Sequence, residues 1–236
     1  MSCVKKAVVL AAGIGNRMRP VTLVTPKPLV KVNGRRMIDT VVEALHINGI
    51  FEIYVVVGYK KEQFYAWAKE NHGIEILEND FYDTCNNISS LYVARDFLQD
   101  SMILDGDQII YNPRILNPAI TKSGYCCAWT ERQTDEWLLR TDETGRVISC
   151  SRTGGAVGWQ LFSISRWTKA DGEKLKHCLE EQFESKKNTQ IYWDDIPLSC
   201  YSKDFDLSVY PVSNSDVLEI DAYSELCQAD GSYRTL

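Results

Sequence analysis

Ala7-Val8-Val9-Leu10-Ala11-Ala12-Gly13-Ile14-Gly15-Asn16-Arg17-Met18-Arg19-Pro20, followed by Thr25-Pro26-Lys27-Pro28-Leu29, is the stretch from which the fold can be read. A short continuous apolar run that stops at a glycine reads as a strand buried on both faces, the kind found in parallel sheets flanked by helices. Gly13 and Gly15 let backbone N–H groups approach an anion without Cβ interference. Arg17, Arg19 and Lys27 add local positive charge, and the prolines at 26 and 28 stiffen the segment that presents Lys27. Loops at the carboxyl ends of strands are where open α/β sheets bind ligands. The stretch therefore suits a nucleoside triphosphate, with a plain strand-to-helix turn as the competing reading of the two glycines.

Two other phosphate loops are excluded. A P-loop requires G-x-x-x-x-G-K-[ST], which does not occur here. A Rossmann dinucleotide loop needs a third glycine at position 18, where Met18 stands. It also needs an acid ending the second strand, where the chain has Gly58-Tyr59-Lys60.

Working outward, apolar runs recur at 53–57 and 102–104, with helical stripes between them. Met37, Ile38, Val41, Val42 and Leu45 form one stripe before Gly49, and Phe64, Trp67 and Ala68 form another before Gly73. Leu91, Ala94, Phe97 and Leu98 form a third. This rhythm predicts an α/β fold with a doubly wound, mostly parallel sheet. Shorter runs at 125–130, 137–141, 146–150 and 158–164 predict a small antiparallel extension on the ligand-binding side. A helix over 172–183, a strand over 207–212 and a terminal helix over 222–229 complete the pattern. With no repeats or linkers, 1–236 is read as a single domain.

Composition narrows the function. A net charge of −6, from 26 basic and 32 acidic residues, gives no basic field for nucleic acid. The eight cysteines form no C-x-x-C pair and no zinc spacing with histidine, so reduced thiols are expected. Lys5-Lys6 and the apolar run after them are too short and wrongly flanked for an export signal. No segment reaches the roughly twenty apolar residues of a membrane span, so the expectation is a cytoplasmic protein with no membrane partner. Oligomeric state is left open, a homodimer included.

The run from Leu10 to Thr22 with Pro26-Lys27-Pro28-Leu29 resembles the signature of nucleotidyltransferases of the sugar-phosphate nucleotidyltransferase type, which join a nucleoside triphosphate to a phosphorylated small molecule. The resemblance implies a Rossmann-like nucleotidyltransferase fold with a nucleotide-binding half, 1–112, and an acceptor-binding half, 113–236. It assigns the nucleotide to Leu10, Ala11, Ala12, Gly13, Gly15, Asn16 and Arg17, with Asp105, and catalysis to Arg17 and Lys27. Since Lys27 is placed in a loop, its removal is expected to spare folding.

Leu104-Asp105-Gly106-Asp107 ends an apolar strand, so Asp107 should project at the same sheet edge as the glycine loop. Carboxylates there suit Mg²⁺, which bridges phosphate oxygens; a turn role is the rival for Asp107. Glu219-Ile220-Asp221 offers a second strand-end carboxylate, with helix capping as the rival for Asp221. The resemblance matches the family's Mg²⁺ ligands to Asp107 and Asp221.

Five of the six tryptophans lie between Trp129 and Trp193, accompanied by Tyr192 and acids. Aromatic faces with carboxylates suit an ammonium group, although sugars also stack on tryptophan and each ring alone could be core. Asn86-Asn87-Ile88-Ser89-Ser90-Leu91-Tyr92, Thr134-Asp135-Glu136-Trp137 and Tyr192-Trp193-Asp194 are similar to bacterial CTP:phosphocholine cytidylyltransferases. That narrower resemblance implies CMP transfer from CTP to phosphocholine. It puts Glu131, Trp137, Tyr192 and Asp194 around the choline, and Asn86, Asn87 and Ser90 near the nucleotide or acceptor, with helix capping as the rival for Asn87 or Ser89. The stretch from Arg152 to Leu161 departs from the pattern. The alternatives are a 2-aminoethylphosphonate or phosphoethanolamine cytidylyltransferase, a sugar-1-phosphate nucleotidyltransferase, and a non-catalytic nucleotide-binding subunit.

Overall fold

The apolar run of the opening motif forms β1 (Lys6–Ala11) at the centre of the sheet. The computed structural model describes residues 2–235. β1 pairs in parallel with β2 (Glu52–Val57) on one side and β4 (Ser101–Asp105) on the other, and β2 pairs in parallel with β3 (Ile74–Glu78). Alternation along β1 divides its side chains between two layers. Ala7, Val9 and Ala11 pack with α1 (Met37–Ile47) and α2 (Lys61–Lys69). Val8 and Leu10 pack with α3 (Ile88–Val93) and α4 (Lys169–Glu180) on the opposite face. Helices on both faces are what the two-sided apolar strands require, and the doubly wound expectation holds.

The later strands extend this sheet. β9 (Gly158–Trp167) runs antiparallel to β4 through its C-terminal half and to β7 (Leu138–Thr141) through its N-terminal half. Its other edge pairs antiparallel with β6 (Gly124–Thr130), and β8 (Val147–Ser151) pairs with β7. The result is one nine-stranded sheet whose antiparallel part hangs from β9. Three details differ from the sequence reading. β3 was not anticipated, because as an edge strand it is only half-buried and lacks the continuous apolar run. The third helix is shorter than its stripe and gives way to a 3₁₀ turn over Arg95–Phe97. The last long strand, β10 (Ser208–Pro211), joins β6 in parallel and not as part of an antiparallel set.

A two-stranded ribbon completes the site's support. β5 (Gln108–Ile110) follows β4 directly and pairs antiparallel with β11 (Val217–Glu219). This brings the C-terminal Glu219 and Asp221 beside Asp107, across more than a hundred residues of chain. α5 (Tyr223–Ala229) follows. All eight cysteines are free thiols. Among the described residues, no helix is long and apolar enough to cross a membrane.

Candidate active site

The glycine loop is fixed by its own backbone. Gly15 has φ 68°, and a Cβ there would meet Thr22 Cγ2 at 3.0 Å, so glycine is required by both conformation and space. Thr22 donates its hydroxyl to the Gly15 carbonyl at 2.8 Å, and Tyr59 donates its own to the Thr22 carbonyl at 2.9 Å. At Gly13 a Cβ would meet no protein atom within 4 Å, because the space belongs to an open cavity. That cavity, about 470 Å³, is lined by Leu10, Ala11, Gly13, Gly15, Asn16, Arg17, Lys27, Asn86, Asp107 and Asp221.

Lys27 is not a free loop cation. It begins a 3₁₀ turn capped by Pro26 and is only 8% exposed. Its Nζ donates to Asp107 Oδ2 at 2.5 Å and to Asp221 Oδ1 at 2.6 Å. Burial opposes its charge, but the two carboxylates outweigh that and hold its pKa above the ordinary lysine value. Arg17 Nη2 lies 3.1 Å from the other Asp221 oxygen. Burial would raise the Asp221 pKa, yet Lys27 and Arg17 hold it below the usual carboxylate range. Helix capping falls elsewhere: Glu225 reaches back to accept the N–H groups of Asp221 and Ala222, leaving the Asp221 carboxylate facing the cations.

A second, contiguous cavity of about 400 Å³ opens beside the first. Arg17, Asn87, Asp105, Asp107, Asp135, Glu136, Trp137, Tyr192, Asp194, Glu219 and Asp221 line it, with Leu161 and Ser163. Carboxylate oxygens of Asp105, Asp107 and Glu219 all lie within 4.8 Å of one another, and Asp107 Oδ1 is buried without a hydrogen-bond partner. Hard oxygen donors at that spacing fit a divalent cation such as Mg²⁺. The grouping differs from the expected Asp107–Asp221 pair, because Lys27 and Arg17 engage Asp221. Burial, reinforced by neighbouring carboxylates, pushes Asp105 well above the usual range and Glu219 up to about 8. Glu219 was within reach of the sequence, since strand alternation puts it on the same face as Asp221.

In the second cavity, Trp137 and Tyr192 meet edge to face with centroids 5.6 Å apart. Asp194, 6% exposed, lies beside the Tyr125 hydroxyl, and burial pushes its pKa up to about 7. Glu131 stands apart. It is exposed just beyond β6, accepts a hydrogen bond from Trp129 Nε1 at 3.2 Å, and lines neither cavity. Glu136, which the sequence offered within the Thr134-to-Trp137 motif without a site role, lines the cavity, and burial raises its pKa.

Four residues expected at the nucleotide do not line the first cavity. Ser90 is buried and accepts from the Asn79 amide at 3.0 Å, so it braces α3. Ala12 is buried and its carbonyl accepts the Tyr59 N–H at 3.1 Å. Asp105 faces the second cavity, as does Asn87, whose side chain accepts the Trp193 N–H at 2.9 Å and caps no helix.

A glycine loop at a strand end, a buried lysine between two carboxylates and a second, acidic cavity beside it fit a nucleotidyltransferase. The chain belongs to the MobA-like NTP transferase domain family, which its residues 7–179 match. It is 34% identical to the 2-aminoethylphosphonate cytidylyltransferase of Lancefieldella rimae, over 99% of this chain and 98% of that one. It is 33% identical to the choline-phosphate cytidylyltransferase of Streptococcus pneumoniae, over 93% and 94% respectively. The structure of CTP:phosphocholine cytidylyltransferase from S. pneumoniae superposes with a TM-score of 0.89 at 31% identity, covering 97% of this chain and 99% of that one. The inositol-1-phosphate CTP transferase of T. maritima shares the fold, with a TM-score of 0.76 at 17% identity over 97% of each chain.

Proposed function

We propose that this enzyme is a cytidylyltransferase that transfers CMP from CTP to a small phosphate or phosphonate bearing an ammonium group. This class includes phosphocholine, the acceptor expected from the sequence, and 2-aminoethylphosphonate. The observation that carries the reading is the acceptor cavity, where Asp105, Glu136, Asp194 and Glu219 converge beside Trp137 and Tyr192, with Arg17 as the one cation in the lining. A neutral sugar has no need of carboxylates beyond those that would hold a metal ion, whereas an ammonium offsets the charge of Asp194 and Glu136. Relatives named for both ammonium acceptors, at nearly equal identity, support the same class.

The acceptor's phosphate or phosphonate oxygen, already anionic near neutral pH, attacks the α-phosphorus of CTP in line, and pyrophosphate leaves. No protein nucleophile is needed, so the chain's work is alignment and charge neutralisation. Backbone N–H groups around Gly13 and Gly15 cradle the triphosphate, while Arg17 and Lys27 offset the charge that develops on its oxygens. Asp105, Asp107 and Glu219 would hold a magnesium ion, which when bound supplies further positive charge at the phosphates. Asp194, beside the two rings, pairs with the ammonium, which fixes the attacking oxygen at the other end of the acceptor. The test is pyrophosphate release with CTP or UTP against phosphocholine, phosphoethanolamine, 2-aminoethylphosphonate and glucose-1-phosphate. CTP-dependent release with an ammonium acceptor is expected; release with glucose-1-phosphate alone would sink the proposal.

A further inference from the structure

The segment between β8 and β9 has no part in the mechanism above, yet it reaches the acceptor wall. Its Arg152 guanidinium carbon lies 5.1 Å from the Trp137 ring centroid and 5.6 Å from that of Tyr192. Arg152 Nη1 is 3.1 Å from Oδ1 of the buried Asp195, whose other oxygen accepts the Tyr192 backbone N–H at 3.0 Å. Thr134 and Gly155 exchange a pair of backbone N–H···O bonds, each 3.0 Å, three residues before Trp137. A Cβ at Gly154 would come within 1.9 Å of the Thr134 carbonyl oxygen, so the segment docks this closely only with glycine there. Arg152, Trp137, Tyr192 and Asp195 are thus held as one unit.

The two rings that an incoming ammonium would use already hold a cation of the chain's own. A ring pair sharing its π-density with a guanidinium has less to give a second cation, and the two like charges repel across it. What remains for the acceptor is carboxylate, foremost the buried Asp194 in the cavity wall. Carboxylates hydrogen-bond to N–H groups; a primary ammonium offers three of them and a quaternary one offers none. A quaternary ammonium depends instead on aromatic faces, the resource that Arg152 occupies.

Resting on the ammonium-acceptor reading above, we infer that Arg152 is a positioning residue for specificity. By occupying the Trp137–Tyr192 pair it sets the site for primary over quaternary ammonium acceptors, 2-aminoethylphosphonate over phosphocholine. The experiment measures kcat and KM for both acceptors at saturating CTP in the wild type, Arg152→Ala and Arg152→Lys. The wild type is expected to favour 2-aminoethylphosphonate at least tenfold in kcat/KM. Arg152→Ala should shift that ratio at least tenfold toward phosphocholine through acceptor KM, with the KM for CTP unchanged. Arg152→Lys, which keeps a cation on the rings, should retain the wild-type preference. A wild type that prefers phosphocholine, or a ratio that stays within twofold in Arg152→Ala, overturns the inference. If Arg152→Ala does not fold, calorimetric affinities of the two acceptors for the wild type and Arg152→Gln decide by the same ratio. Activity with glucose-1-phosphate alone removes the ammonium reading and this inference together, whereas an unaltered ratio among ammonium acceptors removes only the inference.

Discussion

The loop after β1 is fixed by its own backbone, whereas the acceptor wall is assembled from side chains that reach it from several distant segments. In the loop, the left-handed Gly15, the Thr22 hydroxyl and the 3₁₀ turn at Lys27 all fall within thirteen residues. In the wall, Asp105 ends β4, Trp137 precedes β7, Tyr192 and Asp194 follow α4, and Glu219 ends β11. The two regions also differ in charge. The loop brings cations to carboxylates and holds the Asp221 pKa low, while the wall crowds carboxylates together and drives Glu219 and Asp194 up. Under the proposed function, a region already neutralised suits the triphosphate, and a region short of cations suits an acceptor that brings one.

The strongest test of this contrast is Lys27→Ala. Removing one preorganised charge from a reacting phosphate costs about 10²–10³-fold in kcat, and a loss of that size is expected in pyrophosphate release. The sequence reading also expected folding to be spared, but burial between Asp107 and Asp221 changes that expectation. Without the lysine the two carboxylates repel each other, so the thermal midpoint should fall, and adding Asp221→Asn should recover part of it. Wild-type kcat in Lys27→Ala would break the catalytic assignment.

Asp194→Asn probes the opposite region. Stripping a buried charge of its partner costs roughly 2–5 kcal/mol, so the acceptor KM should rise on the order of thirtyfold or more, with the CTP KM little changed. The pH dependence has a definite sign. Folding raises the Asp194 pKa from 3.8 to about 7, so between those values the folded chain binds more protons than the unfolded one. Its contribution to stability is therefore present at low pH and is lost as pH rises through about 7. Acceptor binding favours the ionised form, so the wild-type acceptor KM should improve from pH 6 to pH 8. Both slopes should flatten in Asp194→Asn, as thermal melts and kinetics across that range would report.

Gly15→Ala and Gly13→Ala separate folding from binding within the loop. An alanine at φ 68° costs about 1–2 kcal/mol, which lowers the melting temperature by roughly 2–4 °C per kcal/mol in a chain of this size. Gly13→Ala should leave the melting temperature unchanged and raise the CTP KM severalfold, because its methyl group points into the nucleotide cavity and not into protein. Equal stability losses in the two variants would show that both glycines serve the turn alone.

Legibility in the sequence follows the same division. The loop could be read because its determinants are contiguous: the apolar run, two glycines and a lysine braced by prolines declare themselves within a short window. The parallel core could be read for the same reason, whereas β3 was missed because half-burial erased its pattern. The wall was read through isolated islands, and the expectations part from the observed contacts where tertiary pairing decides. Asp221 was expected as a metal ligand, but nothing local announces that Lys27 meets it across 194 residues. Ser90 was expected near the nucleotide or acceptor on the resemblance of its motif, yet the turn of α3 carries it inward to Asn79.

The smallest expected effect sharpens the wall's boundary. Glu131 and Glu136 are five residues apart, both acidic and both near tryptophans, and local sequence gives no ground for choosing between them. The structure separates them: β6 ends before Glu131 and leaves it exposed beside Trp129, while the Thr134–Gly155 pairing turns the chain so that Glu136 faces the acceptor cavity. Glu131→Gln should therefore leave the acceptor KM within twofold of the wild type. Glu136→Gln removes an exposed charge at the edge of the ammonium site, and at roughly 0.2–1 kcal/mol for such a pair the acceptor KM should rise by no more than about fivefold. The difference is measurable by pyrophosphate release at saturating CTP with the preferred ammonium acceptor. A larger effect at Glu131 than at Glu136 would mean that the wall extends outward along β6 when substrate binds.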